Sequence, residues 1–126
     1  MARIMCDAAE GLVRFVWGIT TDARLNHHPQ PPAGTAPQEW IRPPFDPGCP
    51  NAFVRVERQT IWGFPKQSAS LFTIRTYLTD CHEIRKDRSK REDLCSAIES
   101  MSPASLIYKG LDRDGNALLR WLRQGA

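Results

Sequence analysis

An α+β fold, an antiparallel sheet followed by carboxy-terminal helices, is predicted by three features of this chain. Phe53 to Thr60 and Leu71 to Leu78 are rich in β-branched and aromatic residues and alternate in polarity, the signature of strands. After Thr79 the apolar residues recur at helical spacing instead. Between the first strand and this hairpin lies a stretch so dense in proline that regular structure is not expected there.

The first strand is read over Leu12 to Ile19, containing Trp17 and closed by Thr20, Thr21 and Asp22. From Leu25 to Pro50 the prolines remove backbone donors and fix φ, predicting a long loop without regular elements. Loops of this length in small domains are either covers or disordered segments, and Trp40 and Phe45 are the expected anchors of a partly ordered cover.

In the hairpin, alternation sets Val54, Val56, Arg58 and Thr60 on one face and Phe53, Arg55, Glu57 and Gln59 on the other. Gly63, Pro65 and Ser68 supply turn chemistry for a generous connecting loop. Ser89 to Glu92 reads as a capping box opening a helix on which Leu94, Ile98 and Met101 share a stripe. Ser102-Pro103 opens a second, short helix that Gly110 ends. Ala117, Leu118, Trp121 and Leu122 form a last amphipathic segment finishing near Gly125.

The 126 residues fit one domain, and the apolar and charged fractions, 41% and 25%, argue against wholesale disorder. The net charge of +3 comes from mixed signs. Its one dense basic stretch, Arg85 to Arg91, contains Asp87 and is followed by Glu92 and Asp93, so it reads as a solvated loop before a helix rather than a nucleic-acid site. Met1 to Gly11 lacks the apolar core of a signal peptide, and no stretch approaches the roughly 20 apolar residues that span a bilayer. The expected compartment is the cytoplasm, with no membrane partner. Cys6, Cys49, Cys81 and Cys95 form no C-x-x-C pair and read as reduced thiols, with no support for a zinc site.

Two readings of the polar hairpin face stand side by side. Arg55, Glu57 and Gln59, joined by Arg75 if it points the same way, make either the floor of a polar pocket or an ion-pair ladder facing solvent, and spacing alone favours the ladder. Among donors that could reach iron, His27 and His28 lie in the proline-rich loop, His82 follows the second hairpin strand, and Cys49-Pro50 is a dipeptide of the kind seen in regulatory haem sites. Loop histidines are more often solvated, and Cys-Pro is a common accident in such a loop. Trp17, Trp40, Trp62 and Trp121 are aromatic enough to stack on a porphyrin, although scattered aromatics are usually core.

The blocks Arg55-Val56-Glu57-Arg58-Gln59-Thr60, Leu71-Phe72-Thr73-Ile74-Arg75-Thr76-Tyr77 and Tyr108-Lys109-Gly110-Leu111 resemble the haem-dependent oxidative N-demethylase alpha-subunit-like family. Arg14-Phe15-Val16-Trp17-Gly18-Ile19 also looks like that family's tryptophan strand, with Val16 in place of the usual asparagine. The similarity runs from about residue 14 to 111, most specifically in the arginine, glutamate, arginine, glutamine block. It implies a PAS-like sheet holding a haem, oxygen chemistry that removes a methyl group from a small secondary amine, and electrons from a separate reductase chain with flavin and an iron-sulfur centre.

By that resemblance Glu57 becomes a distal-pocket residue that holds a protonated amine or relays protons. Arg75 would neutralise Glu57 or the charge growing on reduced oxygen, with Arg55 and Gln59 in support. The family also carries, ahead of the tryptophan strand, a proline-serine-tryptophan element and a histidine beside an alanine-proline-valine-proline run, which this sequence lacks. The chain is therefore expected to be the carboxy-terminal part of a longer oxidoreductase whose iron ligand lies elsewhere. The rival expectation is a catalytically silent PAS-like fragment that docks to another chain, since PAS-like folds also serve as sensors.

Overall fold

The computed structural model describes residues 11–124. The amino-terminal stretch, with Cys6, and the helix end expected near Gly125 lie outside the described residues. The secondary structure is α+β: β1 (Leu12–Thr20), α1 (Pro37–Trp40), β2 (Phe53–Phe64), β3 (Ala69–Asp80), α2 (Cys81–Lys86), α3 (Arg88–Glu99), α4 (Pro103–Tyr108) and α5 (Gly115–Arg123). The strands form an antiparallel sheet in the order β1-β2-β3. By contacts the chain divides into two compact units, one comprising the chain up to Gly18 and Arg55–Tyr77, the other Ile19–Val54 and the chain from Leu78 onward.

In the first unit the hairpin is longer, and its connection tighter, than the sequence suggests. Its strands run on to Phe64 and from Ala69, leaving only the 3-10 turn Pro65–Gln67 and Ser68 between them. Ser68 takes φ +49°, unusual for a residue with a side chain, and its N–H closes the turn on Pro65 O at 3.1 Å. Pro65 starts this turn rather than breaking a strand because it pre-sets φ and needs no donor there. Counting back from this closed turn places Glu57 opposite Thr76 and Arg58 opposite Arg75. The side-chain bond from Arg55 Nη2 to Thr76 Oγ1, 3.2 Å, agrees with that register.

The second unit holds most of the core: Ile19, Phe45, Ala52, Cys81, Ile84, Leu94, Ile98, Leu111, Leu118, Trp121 and Leu122 are all buried. At the start of β2, Ala52 O accepts the Cys81 N–H at 2.9 Å. Trp121 organises the packing, with Phe45 edge-on at 5.7 Å, the His82 ring at 5.0 Å and the Arg85 guanidinium over its ring at 4.7 Å. The Asp114 carboxylate accepts the Phe45 N–H at 3.0 Å and so ties the proline-rich segment to the start of α5.

Three local expectations need correction. The segment 25–50 contains a regular element after all, the single turn α1, which Pro37 starts at a first-turn position where its missing N–H costs nothing. Helical structure begins at Cys81, not Ser89: the Asp80 side chain caps α2 by accepting from His82 N, and two buried residues, Cys81 and Ile84, anchor it. The cap of α3 is Asp87, whose carboxylate accepts from Lys90 N, while Ser89 lies inside the helix and Glu92 pairs with Arg88 at 2.7 Å. Ser102 caps α4 as the sequence suggests, and Gly110 closes it at φ +67°. There Leu111 N donates to Leu106 O and Gly110 N to Ile107 O, a paired closure that needs a left-handed residue.

Candidate functional site

The site is built from the polar face of the first unit. Because side chains alternate along a strand, Arg55, Glu57 and Gln59 emerge on one side of β2, and they are linked along it. Arg55 Nε donates to Glu57 Oε1 at 3.0 Å, and Gln59 Nε2 donates to Glu57 Oε2, also at 3.0 Å. Each neighbouring strand adds a member. Arg14 of β1 donates from Nε to Gln59 Oε1 at 2.6 Å, and Thr76 of β3 accepts from Arg55. One chain of hydrogen bonds, Arg14, Gln59, Glu57, Arg55, Thr76, therefore crosses the sheet.

Burial separates this network from a solvated ladder. The Arg55 and Glu57 side chains are only 14% and 22% exposed, and Gln59 is buried. Such a network pre-orients its members. The Gln59 amide, accepting from Arg14 with its oxygen and giving its N–H to Glu57, has no freedom to flip without breaking both bonds. These neighbours place one bond on each Glu57 carboxylate oxygen and so fix the plane of the carboxylate.

Arg75 is not brought into this group. Thr76 shares the Arg55 face, so alternation sends Arg75 to the opposite face, where it is exposed and lies over the Tyr77 ring at 5.4 Å. The guanidinium paired with Glu57 is that of Arg55, which corrects the expected Arg75–Glu57 pairing. Arg14 and Thr76 were missed. Arg14 was legible as the one charged residue among the apolar side chains of β1, whereas Thr76 required the register.

The second unit holds the other candidates. A groove of about 470 Å³ is lined by Arg24, His27, His28, Trp40, Ile41 and Arg42. Its polar groups are already engaged. Asp22 takes both Arg24 Nε and Nη2, at 2.8 and 2.5 Å, and lies 3.4 Å from His27 Nε2. Burial works to raise the Asp22 pKa, but the Arg24 hydrogen bonds and the charges of Arg24 and His27 outweigh it and hold the carboxyl below its usual value. His28 Nδ1 is 3.1 Å from Gln30 N, and Trp40 Nε1 donates to His28 O at 2.7 Å. His82 is packed edge-on against Trp121, with Nε2 3.4 Å from Pro50 O. Cys49 is an exposed thiol, whereas Cys81 and Cys95 are buried, and burial pushes the Cys81 thiol up to about 12.

Fold and site together define an α+β protein whose sheet displays an ordered arginine, glutamine and glutamate network on one face. The model of the family described as haem-dependent oxidative N-demethylase, alpha subunit-like, matches residues 1–119. The chain belongs to that family.

Haem dependence comes with the family's name, and the side chains permit a test of fit. A haem iron asks for one or two axial donors, commonly imidazole or thiolate. His27, His28, His82 and Cys49 all belong to the second unit and the Glu57 network to the first, so neither unit by itself combines a ligand with that network. Within the second unit each imidazole has a ring nitrogen turned to a protein neighbour. The other ring nitrogen of each is open to iron, as in metal-bound histidines, but neither unit by itself sets such a donor beside that network. Among the described residues, no group of three or more His, Cys, Asp and Glu is placed to hold a metal ion, and no helix is long and apolar enough to cross a membrane.

Proposed function

We propose that this chain contributes a pocket wall to a haem-dependent oxidoreductase that removes a methyl group from a small secondary amine, with Glu57 as the group that receives the amine. The observation that carries this reading is the half-buried Glu57 carboxylate, held in a fixed orientation by Arg55 and Gln59, in a chain of this family. The iron's axial ligand comes from outside the described residues, and a flavin and iron-sulfur reductase chain supplies electrons.

The charges in the network refine the role. Two guanidiniums, Arg14 and Arg55, share the chain of bonds that holds the Glu57 carboxylate. The amine's N–H donates to a Glu57 oxygen. Arg14 and Arg55 then supply a positive environment for negative charge developing nearby. Gln59 positions Glu57.

The test is titration of the chain with dimethylamine, followed by NMR at several pH values with the protein's fold checked at each. Binding should be saturable, and Glu57→Gln should weaken it by about tenfold or more, the usual order for losing a positioned charge. Binding indifferent to Glu57→Gln would remove the amine from this site.

A further inference from the structure

Exposed apolar side chains stand on both faces of the sheet, Leu12, Phe72 and Ile74 on the network face, but they are more numerous on the other. With Arg14 and Gln59 joined on the network face, alternation sends Val13 and Phe15 of β1, Trp62 and Phe64 of β2, and Leu71 and Tyr77 of β3 to the other side. A Cβ on Gly11 would meet the Trp62 ring at 3.0 Å, which places Trp62 on that side as well. All six side chains are exposed, from 44% for Tyr77 to 66% for Phe15. Aromatic side chains bury roughly 150–250 Å² each, so half-exposed ones at this density leave an apolar patch on the order of 500 Å², the size that marks interaction sites.

Within the patch, Arg58 and Arg75 stand directly opposite one another on neighbouring strands, both exposed. Like charges in that position destabilise a sheet. Neither arginine has an ion-pair partner among the described residues, and Arg75 has only the Tyr77 ring beneath it. Along the hairpin the pair lies between Tyr77 on one side and, past Thr60 and Thr73, Trp62 and Leu71 on the other, with Arg75 on the edge strand β3.

We infer that this face is a docking surface for another protein chain that presents apolar side chains around one or more carboxylates, which seat between Arg58 and Arg75. Charge complementarity selects this occupant. A second copy of the chain would add two more arginines to a face that already carries two. An anionic membrane is matched by many basic side chains around an apolar wedge, whereas the strands offer only Arg58 and Arg75 on this face among the described residues. A protein surface supplies both the carboxylate and apolar cover in register, as interface cores do. The inference does not depend on the amine chemistry of the opposite face.

The experiment uses the whole chain and two labelled synthetic peptides, one alternating valine with glutamate and one alternating valine with lysine, read by fluorescence anisotropy. The glutamate peptide should bind saturably, the lysine peptide should not, and replacing Arg58 and Arg75 together by Thr should weaken binding at least tenfold. Each single Arg→Thr change should also raise the thermal midpoint, because it removes the repulsion, an effect that a merely structural arginine would not show. If the double variant fails to fold, Phe15→Ser, on the neighbouring strand, carries the same loss of binding. The proposal is overturned by equal binding of the two peptides or by none, by binding unchanged in the variants, by a concentration-dependent dimer in sedimentation that Phe15→Ser abolishes, or by partition onto phosphatidylserine vesicles without peptide binding.

Discussion

Arg55 and Glu57, two residues apart on one face of β2, form a 3.0 Å ion pair, and the arginine's far end reaches on to Thr76 of the neighbouring strand. Partial burial makes this pair sensitive to the loss of either member, because the survivor keeps its desolvation and loses its partner. Glu57→Leu should therefore destabilise the fold by about 2 to 3 kcal/mol. Glu57→Gln, which keeps the shape and a hydrogen-bonding oxygen, should cost about 1 kcal/mol. Arg75→Leu, on the other face, should not lower stability by more than about 0.5 kcal/mol. Urea unfolding of the three variants checks this, and a large cost at Arg75 would restore it as the partner of Glu57.

How much of this was legible follows from what each inference needed. The hairpin was visible because β-branched and aromatic residues alternate over eight positions, and the same alternation put Arg55, Glu57 and Gln59 on one face. The face of Arg75 depended on register, and register depends on the turn. A generous loop left the pairing open, whereas strands reaching Phe64 and Ala69 around a four-residue connection send Arg75 to Arg58. Helix α2 escaped because six residues show too little periodicity, and the cap of α3 was misplaced because Asp87, two residues upstream of Ser89, offers the same oxygen.

That cap gives a prediction. Asp87 accepts from Lys90 N, and the hydrogen bonds hold its carboxyl below the usual value, with Lys90 and Ser89 as donors. Asp87→Ala should lower the thermal midpoint, whereas Ser89→Ala, inside the helix, should be neutral or slightly favourable. A depressed pKa contributes stability that is present above the unfolded value and lost as pH falls through the folded value. The gap between wild type and Asp87→Ala should therefore persist at neutral pH and close in acid, as pH falls past the ordinary aspartate range. Thermal midpoints of the two variants at neutral and acid pH decide between the two caps.

Cys81 is set apart from Cys49 by its surroundings. It is fully buried, and burial first and the Asp80 charge second push its thiol up to about 12. Reaction with iodoacetamide requires thiolate and access, so Cys49 should label in the folded protein while Cys81 labels only on unfolding. A raised pKa contributes stability that is complete below the unfolded value, here 9.0, and is lost as pH rises through about 12. Cys81→Ala should flatten that alkaline loss. Mass-spectrometric mapping of labelled peptides checks the first point, and rapid labelling of Cys81 at pH 8 would contradict its burial.

The last prediction concerns haem and follows from where the donors stand. His27 Nε2 faces Asp22, His28 Nδ1 faces Gln30, and His82 is held between Pro50 O and the Trp121 ring. Each imidazole keeps a second ring nitrogen that can reach iron, so the donors compete as alternatives: His27 and His28 line an open groove, and Cys49 is exposed. Mixing this chain with ferric haem should therefore give a weak, heterogeneous Soret band that no single substitution among His27, His28, His82 and Cys49 abolishes. A sharp one-to-one low-spin spectrum lost in one of those four variants would place the ligand inside these residues. In that case Glu57→Gln, which changes the network without touching a donor, should leave the titration endpoint unchanged if the two sites are separate and shift the band if they are joined.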